Sequence, residues 1–131
     1  MTLHDCLSSR IILEANTKEK NTMLIDLNTM EAQCIPNFKG GEIAYNVKMY
    51  TDDTNKVMKG RLVPGASIGY HTHEEDEEII FILSGHGTVK NDDGECPANP
   101  GEAHLCAKGR SHSLINTGNE DLIFYAVVAK V

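Results

Sequence analysis

No run of about 18 consecutive apolar residues occurs in the chain, so no bilayer-spanning helix is expected. No C-x-x-C pair occurs among Cys6, Cys34, Cys96 and Cys106, which argues against a zinc ribbon or a thioredoxin-type redox motif. With 131 residues available to build a core, a disulfide framework is not needed either. Basic residues are few and scattered: twelve Lys and Arg stand against nineteen Asp and Glu, a net charge of −7. A surface for nucleic acid or an anionic membrane needs clustered cations, so neither partner is expected. The start of the chain lacks a basic segment followed by an apolar one, so it does not read as a secretory signal. These absences together point to one cytoplasmic domain with reduced thiols.

Helical pattern is also scarce. Leu3, Leu7 and Ile11 recur every four residues, with Cys6 and Ile12 beside them. Residues 1–22 are therefore expected to be an N-terminal extension, either a short docking helix or a frayed tail. After position 22 the chain reads as short strands punctuated by turn residues. Strands are expected over 23–27, 43–50, 57–63, 79–83, 88–90, 103–107, 111–116 and 122–129. Within 43–50 the apolar Ile43, Tyr45, Val47 and Met49 alternate on one face. Asn91-Asp92-Asp93-Gly94 is a strong hairpin signal. Many short strands without intervening helices predict an all-β antiparallel sandwich or barrel over 23–131. The segments 79–83 and 122–128 are apolar on both faces, so the outer face of their sheet needs a cover. Either residues 1–22 or a second copy could supply it, and a homodimer is the expectation.

One stretch carries chemistry. His71 and His73 are followed by five acids, Glu74 to Glu78, and then by an apolar run. On a strand, residues two apart share a face, so both histidines can point inward. Glu78 has the wrong parity to join them unless 74–77 form a bend, and their composition suits a solvated loop. An isolated carboxylate beside an apolar interior would tend to take up a proton, a problem that a divalent cation held by the histidines removes. Imidazole with carboxylate is metal-ligand chemistry. A charged surface loop with two incidental histidines is the bland alternative.

The spacing Gly65-(five)-His71-x-His73-(four)-Glu78-(six)-Gly85 resembles the first motif of the cupin superfamily. Gly101-(five)-Ala107-Lys108-Gly109-(two)-His112-(three)-Asn116 is similar to its second motif, with Ala107 where the family usually has proline. The resemblance covers roughly residues 40–130 and is strongest to small single-domain bacterial cupins. It implies an antiparallel jelly-roll, or double-stranded β-helix, barrel. It also implies that His71, His73, Glu78 and His112 ligate one divalent transition metal: Mn, Fe, Co, Ni, Cu or Zn. His104 and Cys106 share parity on the strand before His112, so they lie near that centre or are ordinary core and rim residues. Tyr45 lines the barrel mouth or packs in the core, and His86 reads as a surface turn residue. The expected ligand is a small anionic or oxygen-rich molecule. The expected function is a metal-dependent enzyme acting on a small organic acid or carbohydrate-like molecule. Its alternatives are a non-catalytic binding or sensing module and a structural metal barrel.

Overall fold

The structure, a computed structural model, describes residues 22–131. Its ten strands are β1 (Gln33–Pro36), β2 (Ala44–Thr51), β3 (Asn55–Leu62), β4 (Ser67–Thr72), β5 (Asp76–Ser84), β6 (Gly87–Asn91), β7 (Gly94–Ala98), β8 (Ala103–Cys106), β9 (Ser111–Ile115) and β10 (Leu122–Lys130). Six form one sheet in the order β1-β2-β3-β10-β5-β8, and four form a second in the order β4-β9-β6-β7. Every pairing is antiparallel. The expected all-β jelly-roll barrel is thus the observed fold.

Side-chain alternation places the core between the sheets. On β5, Glu78, Ile80 and Ile82 point inward, while Phe81 and Leu83 face out. On β10 the inward set is Leu122, Phe124, Ala126 and Val128. Val47, Leu62, Val89 and Leu114 meet them from β2, β3, β6 and β9. Each large apolar side chain fully buried this way stabilises the fold by about 1.5–3 kcal/mol. The non-alternating strands leave the outer face of the six-stranded sheet apolar: Phe81, Leu83, Leu105 and Tyr125 are all exposed.

The structure departs from the expected strands in several places. Residues 23–27 are not a strand. The Asp26 carboxylate instead accepts from Asn28 N at 3.0 Å and caps a 3₁₀ turn over Leu27–Thr29. β1 and β7 have no readable pattern, because both lie at sheet edges where most of their residues are exposed and each contains a proline. Ile43 does not belong to β2: its φ is +59° and its side chain is exposed, so only Tyr45, Val47 and Met49 continue the inward face. The 91–94 turn forms as expected, with Asn91 and Gly94 paired at the hairpin end. The extension expected over 1–22 lies, apart from Thr22, outside the described residues. Among the described residues no helix is long and apolar enough to cross a membrane.

Candidate metal centre

β4 delivers His71 and ends at Thr72, and His73 follows one residue later. A register shift between Ile68 and His71 bends β4 against β9 and aims His71 at its partner His112. His73 is held through its backbone: His73 N donates to Arg110 O at 3.0 Å, and Gly109 N donates to His73 O at 2.6 Å. The 107–110 turn that makes these bonds closes by Arg110 N donating to Ala107 O at 3.0 Å, so it forms without the family's proline. β8 accordingly ends at Cys106 rather than at 107.

Glu78 arrives from the opposite sheet. The bend between His73 and β5 is shorter than expected, because β5 already begins at Asp76. Only Glu74 and Glu75 form the solvated loop, and both are exposed. Asp76, which the sequence pattern assigns to that loop, instead accepts a hydrogen bond from His73 Nδ1 at 2.6 Å. A carboxylate three residues after a histidine is the available signal, lost in the surrounding acids.

The four side chains expected from the resemblance lie together. His73, Glu78 and His112 are buried and His71 is partly exposed. One donor atom from each lies within 4.8 Å of all the others. His73 Nε2 is 3.2 Å from His71 Nε2, 3.0 Å from His112 Nε2 and 3.3 Å from Glu78 Oε1. His112 Nε2 is 2.9 Å from Glu78 Oε1.

The other ring nitrogens fix what these contacts mean. His71 Nδ1 donates to the Gly69 carbonyl at 2.7 Å, and His73 Nδ1 to Asp76. A carbonyl and a carboxylate only accept, so both Nδ1 atoms carry protons. In the neutral rings the two Nε2 atoms then present lone pairs to each other and to a carboxylate. His112 Nδ1 meets His104 Nε2 at 2.9 Å, so His104 stands directly behind a cluster residue. With the rings neutral, such a convergence of electron pairs favours a positive charge at its centre, either a proton or a cation, and its nitrogen and oxygen donors could hold a divalent transition metal.

Without a metal, a proton shared between the histidines and Glu78 supplies the positive charge. Burial by itself would raise the Glu78 carboxyl, but hydrogen bonds from His112 and His73 outweigh it and hold the group at about 2. The bond to Glu78 raises His73, with Asp76 adding to it against desolvation. Burial lowers His71 and His104. Cys106, paired with Glu78 across β5 and β8, is buried, and desolvation pushes its thiol up to about 11. His86 is exposed and bonds Asn99 at 2.9 Å, away from the cluster.

A cavity of about 360 Å³ opens onto the cluster and includes His71, Thr72, His73 and Glu78 in its wall. Tyr45 lines it while also packing in the core, stacked 5.9 Å from Phe124, so both readings of this residue hold at once.

A jelly-roll barrel that presents histidines and a carboxylate from both sheets at its open mouth is the cupin architecture. The chain belongs to that family: the Cupin domain model matches residues 58–128. The oxalate-binding protein of Thermotoga maritima is 32% identical over 117 residues, covering 85% of this chain and 97% of that protein. The crystal structure of a predicted oxalate decarboxylase from the same organism matches with a TM-score of 0.78 at 30% identity, covering 83% of this chain and all of that one, 100%. A sugar phosphate isomerase of the cupin superfamily from Silicibacter pomeroyi shares the fold, with a TM-score of 0.67 at 22% identity over 82% of this chain and 76% of that one.

Proposed function

We propose that His71, His73, Glu78 and His112 hold one divalent transition metal, and that the protein acts on a small organic acid bound there. The observation that carries this reading is the inward convergence of lone pairs whose outward nitrogens are committed to Gly69, Asp76 and His104. The charges of the cavity support it. Its wall carries four carboxylates, Glu74, Glu75, Asp76 and Glu78, against two lysines, Lys39 and Lys56. Without a dication this wall would repel an anion, and with one it is balanced. A bound metal would supply Lewis acidity and open coordination positions for the oxygens of an acid. The chain's own residues set the tautomers, exclude water from the cluster's inner side and keep Glu78 ionised. The names of the Thermotoga relatives agree with a small dicarboxylate as one such ligand.

Capture without turnover is the second reading. It is favoured by the absence, among the described residues lining the cavity, of any imidazole beyond the proposed ligands. Titration of the metal-loaded protein with oxalate in a calorimeter, followed by product analysis, tests both. Saturable heat with product supports the enzyme, and heat with unchanged oxalate supports the binding module. No heat from oxalate or from any other small acid would sink the proposal. The homodimer belongs to the same proposal: Phe81, Leu83, Leu105 and Tyr125 form an exposed apolar face that a second copy would cover. Equilibrium sedimentation at the monomer mass would remove it.

A further inference from the structure

The cavity has a second character that a two-carbon diacid does not use. Its volume is about 360 Å³. Away from the cluster its wall includes the apolar Ile35, Phe38, Met49, Met58 and Val128, with Lys39 and Lys56 at their side. The apolar five come from β1, the 38–40 turn, β2, β3 and β10.

Two features show that this wall is built rather than left over. The 37–43 loop brings Phe38 to the wall through three non-glycine residues at positive φ: Asn37 at +48°, Lys39 at +56° and Ile43 at +59°. Such a conformation is unfavourable, most of all for a β-branched residue, and persists only where the surroundings impose it. Here Ser67 does so, donating from its backbone N to Glu42 O at 3.0 Å while its Oγ accepts from Glu42 N at 2.8 Å. Gly41 and Gly69 allow the loop to press onto β4, since a Cβ at either would collide with the facing backbone. The second feature is Tyr45. The residue is 3% exposed, yet among the described residues its hydroxyl meets only the Met58 thioether, at 3.7 Å. Sulfur is a weak acceptor, and a buried tyrosine hydroxyl ordinarily finds a better one. Burial, with Glu78 adding to it, raises this phenol far above its usual range, so it stays a donor.

We infer that the site takes a 2-oxo acid or related monocarboxylate with an apolar tail. Its acid end sits at the cluster, its tail lies along Phe38, Met49, Met58 and Val128, and Tyr45 donates to one of its oxygens. This rests on the proposed metal-bound acid and extends it to the class of acid. Desolvation of the tail then adds to affinity, and each methylene laid against the wall tightens binding about fourfold.

The test is calorimetric titration of the metal-loaded protein with oxalate and with the straight-chain series pyruvate, 2-oxobutanoate, 2-oxopentanoate and 2-oxohexanoate. The expected result is affinity rising about fourfold per carbon, with an increasingly negative heat-capacity change. Phe38→Ala should flatten the series while leaving oxalate binding within about twofold. Tyr45→Phe should weaken every oxo acid by severalfold. A series that is flat or falls with length, oxalate binding tightest, overturns the inference and leaves the metal-bound acid standing. Failure of every acid, oxalate and pyruvate included, overturns both.

Discussion

The two ends of β9 bury polar groups in different ways. At one end Asn116 is complete within the chain: its Nδ2 donates to Leu62 O at 2.8 Å and Glu120 O at 2.7 Å, and its Oδ1 accepts from Gly118 N at 2.9 Å. At the other end His112 faces His73 at 3.0 Å and Glu78 at 2.9 Å across the candidate metal centre. A buried polar group whose partners all lie in its own chain is part of the scaffold. A cluster of histidines around a buried carboxylate is a group that could hold a metal ion. The same short strand thus locks the closed end of the barrel and equips the open end.

The largest expected effect separates the two ends by their response to metal. Stripping the protein with a chelator should destabilise it by about 4 kcal/mol relative to free metal at roughly a thousandfold above Kd. In His73→Ala the chelator should change nothing. Scanning calorimetry checks both, and equal melting of loaded and stripped wild type would erase the distinction. Next is Asn116→Ala, which leaves the Leu62 and Glu120 carbonyls without their donor. It should cost about 3 kcal/mol in urea unfolding, by the same amount with and without metal. A cost that depends on metal would join the two ends into one unit.

A smaller effect sharpens the open end. His104→Ala should weaken metal binding roughly 10–100-fold while leaving the stripped protein's stability nearly unchanged. His104→Gln, which offers His112 Nδ1 an amide oxygen, should recover part of that affinity. An equal loss in both variants would mean that His104 packs rather than orients. The smallest effect is kinetic. Cys34 and Cys96 are exposed and Cys106 is buried with a thiol raised to about 11. Iodoacetamide in mildly alkaline solution should therefore mark Cys106 last of these three, read by peptide mass spectrometry. Early labelling of Cys106 would show that the β8 side of the cluster opens to solvent.

Much of this is legible in the sequence, and what is not has physical reasons. The buried strands announce themselves by alternation in 43–50 and by apolar runs in 79–83 and 122–128, because burial dictates residue type directly. The four cluster residues follow from the resemblance of 65–85 and 101–116 to the two cupin motifs, whose spacing reflects strand parity and one turn. Asp76 and His104 are harder. Each acts through a hydrogen bond to another side chain, and such a bond depends on where two strands meet, not on local pattern. The positive-φ loop at 37–43 is equally silent, because non-glycine residues there adopt the conformation only under pressure from Ser67 and Gly69 on a distant strand. β1 is unreadable because an exposed edge strand gains little from apolar residues.

The central claim is that the open end of the barrel holds a metal through His71, His73, Glu78 and His112. Metal analysis of the purified protein beside His73→Ala tests it most directly. The account predicts close to one equivalent of a transition metal per chain in the wild type and little in the variant, with the variant still folded. A full complement of metal in His73→Ala would contradict it.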